Sequence, residues 1–263
     1  MTEASLPLKK LFDLTGRVAI VTGGSRGLGF QMAEALGEFG ATVILTARKQ
    51  HELDAAVETL TAQGAKAAAW AGDFSKDETV PAFMDWLKAN YERIDILVNN
   101  AGTSWGADAE DYPIDGWNKV LSTNLTGPFL LTQAIAKQYL IPQGKGRVIN
   151  IASVEGLQGH HVFMGGMIGY SAAKGGMVNL TRGLAAEWGR YGITVNAIAP
   201  GYFPSKLTAV ILQKIEGFVV ENTPMGKLGN DNDLKGTVLL FASDAGGHIS
   251  GQVLAIDGGA TVI

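Results

Sequence analysis

Short runs of β-branched and aliphatic residues recur at 17–22, 41–46, 66–71, 94–98, 147–152, 193–199 and 252–256, each of a length suited to one strand. Between several of them, over 28–39, 50–63, 79–91 and 177–190, apolar positions fall three or four residues apart, as in a helix laying one face on a sheet. A further amphipathic stretch at 206–222, apolar at Leu207, Val210, Ile211, Ile215, Phe218 and Val219, predicts another helix. Strand and helix alternate throughout, and no Pro-rich or Ser-rich linker divides them. The pattern predicts a single α/β domain: a seven-stranded parallel sheet with right-handed crossovers and helices on both faces.

Composition narrows the classes of function. Apolar residues make up 46% of the 263 and charged residues 17%, which predicts a large core, limited polar surface and further burial between subunits. The 21 basic and 25 acidic residues give a net charge of −4 with no dense run of Lys and Arg, so nucleic acid is not an expected partner. The absence of Cys removes disulfides, thiolate metal sites and cysteine nucleophiles. His160 and His161 are adjacent, point apart on an extended segment and lack acidic neighbours, so no metal is expected. No segment is long and apolar enough to span a bilayer. Residues 1–16 carry Lys9 and Lys10 without an apolar region before them or a cleavage site after them, so a cytoplasmic location is expected.

Tyr170 and Lys174 stand four residues apart, which places a phenol and an ammonium on one helix face. A phenol has a pKa of about 10 and is a poor proton donor or acceptor at neutral pH, and a neighbouring cation favours the phenolate. That predicts a lowered Tyr170 pKa. The spacing alone is equally that of an amphipathic residue beside a solvated charge.

The first predicted strand runs into Thr22-Gly23-Gly24-Ser25-Arg26-Gly27-Leu28-Gly29 and then into a helical period. Such a turn lets backbone N–H groups approach a pyrophosphate at a helix N-terminus, so the domain reads as Rossmann-type. At the end of the second strand, where an acidic residue would hold both ribose hydroxyls, stand Arg48 and Lys49, with Arg26 in the turn. Their charge favours a 2′-phosphate and predicts NADP(H) over NAD(H). Arg48 and Lys49 also suit the start of a solvated helix.

Over nearly its whole length the chain resembles the short-chain dehydrogenase/reductase superfamily. The motifs come in the family's order: 22–29, Asp73 followed by Phe74, Asn99-Asn100-Ala101-Gly102, Asn124, Ser153, Tyr170 with Lys174, and Pro200-Gly201. The resemblance implies that Ser153 hydrogen-bonds the substrate carbonyl and Tyr170 donates the proton during reduction. It implies that Lys174 lowers the phenol's pKa and holds the nicotinamide ribose, and that Asn124 holds a water in a relay towards the lysine. It places Gly23, Ser25, Arg26, Gly27, Leu28, Gly29 and Arg48 on the cofactor's phosphates and ribose, and Asp73 with Phe74 at the adenine. Asn100, Ala101 and Gly102 fall at the adenosine ribose. Pro200, Gly201, Phe203 and Ser205 fall around the nicotinamide, with Ser205 where the family more often has Thr. The chemistry is coherent, because hydride transfer to a carbonyl develops negative charge on oxygen, which Ser153 and Tyr170 can stabilise.

The expected substrate is a small carbonyl or alcohol compound. Segments 99–106 and 203–205 are similar to the branch that reduces 3-oxoacyl thioesters, the leading expectation, whereas 11–29 equally resembles gluconate and deoxygluconate dehydrogenases. The substrate is expected between the 156–169 loop, whose Met164 and Met167 adapt to irregular ligands, and the 206–222 helix. A dinucleotide-bound scaffold or sensor is the non-enzymatic alternative, against which the intact Ser153, Tyr170 and Lys174 set stands. Residues 251–259 resemble the family's last strand, often found at a tetramer interface, which implies a homotetramer.

Overall fold

The computed structural model describes residues 5–159, 166–206 and 208–263, so the readings on His160, His161, Met164 and Leu207 lie outside the described residues. The strands are β1 (Val18–Thr22), β2 (Thr42–Ala47), β3 (Lys66–Ala71), β4 (Ile96–Asn99), β5 (Gly146–Ile151), β6 (Ile193–Pro200) and β7 (Val253–Ile256). They form one parallel sheet in the order β3-β2-β1-β4-β5-β6-β7, the architecture expected from the sequence. The helices are α1 (Leu8–Leu11), α2 (Gly27–Glu38), α3 (Gln50–Ala62), α4 (Thr79–Asn90), α5 (Ile114–Leu121), α6 (Gly127–Ile135), α7 (Ile141–Gln143), α8 (Ile168–Trp188), α9 (Ala209–Glu221) and α10 (Lys235–Ala242).

Every residue of β1, β4, β5 and β6 is buried, which explains why these strands read as mainly apolar runs without strict alternation, with polar residues such as Asn99, Arg147, Asn150 and Asn196 buried among them. Successive side chains still leave opposite faces. Ala19 and Val21 join a core under α2, α3 and α10 with Met32, Leu36, Leu53 and Phe241. Val18 and Ile20 join a second core with Phe83 and Leu87 of α4, Leu131 and Ile135 of α6, and Leu184 of α8.

A chain of buried amides and hydroxyls pins helices to the sheet centre. Asn99 Nδ2 donates to Thr132 Oγ1 at 2.8 Å and to Asn150 Oδ1 at 2.9 Å, and Asn150 Nδ2 donates to Thr181 Oγ1 at 2.9 Å. β4 and β5 are thereby fixed to α6 and to α8, the helix that carries Tyr170 and Lys174.

Residues 114–143, which no helical period had marked, are helical: α5, α6 and α7 are joined by π-helical segments at Ser122–Thr126 and Ala136–Leu140. Gly127, Pro128 and Pro142 interrupt the apolar period of this stretch. In the structure each proline falls in the first turn of a helical segment, where its missing N–H costs little. The helix predicted at 177–190 is the later part of α8, which begins at Ile168 and so includes Tyr170 and Lys174.

Candidate active site

The strand order reverses between β1 and β4, and ligands of open α/β sheets bind beyond the carboxyl ends at such a point. Thr22, the last residue of β1, ties the two strand ends together. Its Oγ1 accepts from Asn100 N at 2.9 Å and from Ala101 N at 3.0 Å, while Asn100 Nδ2 donates to Thr22 O at 2.9 Å and Gly23 O at 3.2 Å. Asn100 thus braces the glycine turn through its side chain.

Ser153 follows β5 and caps the short 3₁₀ turn Val154–Gly156, its Oγ accepting from Glu155 N at 3.2 Å. Tyr170 and Lys174 share one face of α8, with Nζ 5.5 Å from the phenol ring centroid. Lys174 is buried and donates to Ile151 O at 2.6 Å. Ser153 stands close enough to Tyr170 for its hydroxyl to act on the phenol. The three residues proposed for chemistry are therefore brought together at the end of β5.

Their protonation differs from the expectation. Burial pushes the Tyr170 phenol up to about 12, against the pull of the Ser153 hydroxyl and with Glu155 adding to the rise. Burial also brings Lys174 down to about 8. The predicted lowering of the phenol by Lys174 is corrected: Lys174 is not among the groups that pull the phenol down, and desolvation of the half-buried Tyr170 outweighs the pull of Ser153.

Asn124 lies in the first π segment and is buried. Its Oδ1 accepts from Thr103 N at 2.8 Å and its Nδ2 donates to Thr103 O at 2.7 Å. The side chain clamps the turn after β4. A Cβ placed on Gly102 would lie 3.3 Å from Asn124 Oδ1 and 4.0 Å from Lys174 Nζ, so the clamp faces the lysine.

The glycine turn fits a dinucleotide. Gly27 opens α2 at φ +55°, and a Cβ there would meet nothing within 4 Å, which leaves the amino end of the helix bare towards solvent. Ser25 and Leu28 are half-buried, Gly29 is buried, and Leu28 packs on the core. The charges expected to meet a 2′-phosphate are partly engaged by a residue that the sequence reading did not single out. Glu52 Oε2 accepts from Arg26 Nη1 at 2.6 Å, and its Oε1 accepts from Lys49 Nζ at 3.2 Å. Arg48 is exposed and makes no ion pair among the described residues.

Other candidates are held locally. Asp73 Oδ1 accepts from Ser75 N at 3.1 Å and from Ser75 Oγ at 2.7 Å. The Phe74 ring packs on Trp70 and Phe83, with centroids 6.1 and 5.4 Å away, which directs it into the core. Pro200 ends β6, and Gly201 N donates to Ile256 O at 3.0 Å. Phe203 is buried, and its carbonyl accepts from Thr208 Oγ1 at 2.6 Å. Ser205 Oγ lies 2.9 Å from the same Thr208 hydroxyl. Thr208 was not among the sequence candidates. Its signal was a hydroxyl three residues after Ser205 at the start of α9.

Beside this cluster lies a cavity of about 630 Å³, lined by Glu155, Gln158 and Gly159 of the loop after β5, Phe218 of α9, and Tyr202 and Lys227. Both segments expected to border the substrate contribute. The lining stops short of Ser153 and Tyr170, with Glu155 and Tyr202 standing on that side. Glu155 is buried and accepts from Ser171 Oγ at 3.3 Å and from Tyr202 OH at 3.5 Å. Among the described residues no group of three or more His, Cys, Asp or Glu could hold a metal, and no helix is long and apolar enough to cross a membrane.

The sequence profile of the family described as short chain dehydrogenase matches residues 17–216. A gluconate 5-dehydrogenase of Gluconobacter oxydans is 36% identical over 254 residues, 96% of this chain and 97% of that protein. A rhamnolipids biosynthesis 3-oxoacyl-[acyl-carrier-protein] reductase of Pseudomonas aeruginosa is 38% identical over 255 residues, 94% of this chain and 97% of that protein. The crystal structure of a gluconate 5-dehydrogenase from Burkholderia cenocepacia in complex with NADP and tartrate superposes with a TM-score of 0.91 at 33% identity, covering 97% of this chain and 99% of that one. The chain belongs to the short-chain dehydrogenase family and is an oxidoreductase acting on CH–OH groups.

Proposed function

We propose that the protein is an NADP(H)-dependent dehydrogenase/reductase that interconverts a keto group and a secondary alcohol on a sugar acid. The observation that carries the reaction is the convergence of Ser153, Tyr170 and Lys174 at the end of β5, next to the glycine turn. The substrate class is supported by the Gluconobacter and Burkholderia relatives, the latter holding tartrate, a hydroxy acid. This favours the sugar-acid expectation over the 3-oxoacyl thioester that led in the sequence.

A bound NADP(H) supplies or accepts the hydride. Gly23, Ser25, Gly27 and Gly29 would hold its phosphates, with Arg26 and Arg48 beside the 2′-phosphate and Asp73, Asn100, Ala101 and Gly102 along the adenosine. Gly201, Phe203 and Ser205 would border the nicotinamide. During reduction Tyr170 gives its phenolic proton to the substrate oxygen and Ser153 Oγ donates to the same oxygen, stabilising the charge that develops there. Lys174 would donate to a ribose hydroxyl and support Tyr170, with Asn124 holding the facing turn.

A second reading, reduction of a 3-oxoacyl thioester, is favoured by the Pseudomonas relative and by apolar Phe218 and Val219 on the cavity wall. The test is loss of the reduced-nicotinamide absorbance with 5-ketogluconate and with 3-oxoacyl thioesters. Tyr170→Phe should reduce turnover by about 100-fold or more. Turnover of only the thioesters would move the reading to the second substrate class, and full activity in Tyr170→Phe would remove the catalytic assignment.

A further inference from the structure

α8 opens without a cap of its own. Met167, the residue before it, supplies no side-chain hydrogen bond, and Ser171 is the first residue whose N–H finds a carbonyl behind it, Met167 O at 2.9 Å. The N–H groups of Ile168, Gly169 and Tyr170 therefore have no acceptor within the helix. A Ser, Thr, Asp or Asn oxygen at the cap ordinarily takes up one of them. Here an oxygen from another segment stands in that place. Tyr112 OH lies 2.7 Å from where a Cβ on Gly169 would be, with Cζ at 3.0 Å, so the phenol sits on the residue directly before Tyr170. The same hydroxyl donates to Trp105 O at 3.1 Å, in the segment after β4. We propose that Tyr112 is a positioning residue for the reaction: its hydroxyl accepts the Gly169 N–H while donating to Trp105 O, and so holds the first turn of α8, with the Tyr170 phenol, in place for proton transfer. This role rests on the carbonyl–alcohol reading above and adds a residue that neither the motifs nor the cavity lining marks.

The segment that presents Tyr112 is itself held along its length. Thr103 is clamped by Asn124, and Ala107 N donates to Gly166 O at 3.0 Å. The Trp105 ring lies on α5, where a Cβ on Gly116 would come within 2.9 Å of three ring atoms. Tyr112 meets the Trp117 ring edge to face, with centroids 6.3 Å apart. Burial pushes the Tyr112 phenol up, and the Gly169 backbone pulls against it, as an N–H donor to the phenol oxygen does.

Further along α8, Lys174 is fixed on Ile151 O. The turn that carries Tyr170 is thus held by Tyr112 at its start and by β5 one turn later. Without the Tyr112 hydroxyl, Gly169 N–H and Trp105 O each lose a partner, and the start of α8 frays more readily. A displacement of about 1 Å at a reacting group costs on the order of 100-fold in rate, so even a small loosening registers in the chemical step.

The experiment follows single-turnover oxidation of NADPH by the full chain, with 5-ketogluconate or a 3-oxoacyl thioester, in wild type, Tyr112→Phe, Gly169→Ala and the double variant. Rates are expressed per NADPH site counted by fluorescence titration, so that a loss of folded protein does not register. Tyr112→Phe, which keeps the ring on Trp117, should slow the step by about threefold to tenfold and leave the NADPH Kd within about twofold of wild type. Its solvent deuterium isotope effect should rise, because proton transfer from a displaced Tyr170 limits the step more. Gly169→Ala should slow the step by about tenfold or more, and by at least about threefold less in the Tyr112→Phe background, where the 2.7 Å contact is gone. An unchanged rate and isotope effect in Tyr112→Phe, whatever its Tm, overturns the role and leaves the reductase reading intact. Additive effects of the two substitutions also overturn it. Failure of wild type to reduce either substrate overturns both readings.

Discussion

Lys174 Nζ donates to Ile151 O at 2.6 Å, so the lysine side chain runs from the middle of one catalytic face of α8 to the last residue of β5. The partner is a neutral carbonyl, which does not offset the desolvation of an ammonium. The result is a lysine brought down to about 8 beside a phenol pushed up to about 12. Tyr170 should therefore stay protonated across the working range, and Lys174 should set the pH dependence. For reduction, kcat/KM should be level below about pH 7 and fall as pH rises through about 8, as the ammonium is lost. Lys174→Arg, which keeps its charge, should show no fall there in its remaining activity. A wild-type profile that is flat between about pH 7 and 10 would sink the role of the ammonium.

Glu52 spans Arg26 and Lys49, two of the three cations expected at the ribose 2′ position. Its carboxyl is held below the ordinary range, by the Lys49 hydrogen bond first and against some desolvation, with Arg26 adding to the pull, so it is charged at neutral pH. A 2′-phosphate arriving beside Arg26 would meet that negative charge. Glu52→Gln should tighten NADPH binding by about threefold to tenfold and leave NADH nearly unchanged, as read by fluorescence titration of each dinucleotide. Arg48→Ala should weaken NADPH binding selectively. Equal shifts for both dinucleotides would contradict a 2′-phosphate site at Arg26 and Arg48.

The contrast between what was legible and what was not has a physical basis. Strands buried on both faces are predominantly apolar, so the runs behind β1, β5 and β6 were visible despite the buried Arg147, Asn150 and Asn196 within them. The helical stretch at 114–143 was not, because Gly127, Pro128 and Pro142 break a period in sequence but are accommodated at segment starts next to π turns. The motif residues could be named from the family resemblance, yet a resemblance is silent on competition for hydrogen bonds. Asn124 is spent on Thr103, Ser205 on Thr208, and the Phe74 ring on the core. The direction of the Tyr170 shift depends on burial, which an i, i+4 spacing does not report. Glu155 was one acid in a loop until folding set it against Tyr202.

Asp244 is the hub of a second charged cluster, far from the chemistry in function. It pairs with Arg17 at 2.6 Å, Lys145 at 2.9 Å and Arg147 at 3.2 Å, and Arg147 is itself buried. Burial raises the Asp244 carboxyl, but hydrogen bonds from Arg17 and Lys145 outweigh it and bring the group down to about 2. A depressed carboxylate contributes stability that is present above the unfolded pKa of about 3.9 and is lost as pH falls towards the folded value. Asp244→Asn should cost about 2 kcal/mol at neutral pH, because Arg147 would keep its burial without a charged partner. Urea midpoints should show the gap between wild type and Asp244→Asn narrowing from about pH 4 to pH 2. A gap of constant size would mean that the Asp244 charge is not its source.

Gly156 and Gly175 face each other across the contact that brings Ser153 to Tyr170, and they differ in what a methyl group would meet. A Cβ on Gly156 would lie 2.6 Å from the Lys174 carbonyl carbon and 2.7 Å from its oxygen, both backbone atoms of α8 that cannot move aside alone. A Cβ on Gly175 would approach Gly156 O no closer than 3.7 Å, an ordinary contact. Gly156→Ala should therefore push the 3₁₀ turn off α8 and carry Ser153 away from the phenol. A displacement of about 1 Å at a reacting group costs on the order of 100-fold in rate. Gly175→Ala should hold activity within about threefold of wild type and gain up to about 1 kcal/mol from the better helix propensity of Ala. The pair separates geometry from fragility: the kcat/KM of Gly156→Ala should collapse even where its folded fraction stays high by circular dichroism. Equal activity in the two variants would show that the close packing of the turn on α8 does not set the Ser153–Tyr170 geometry.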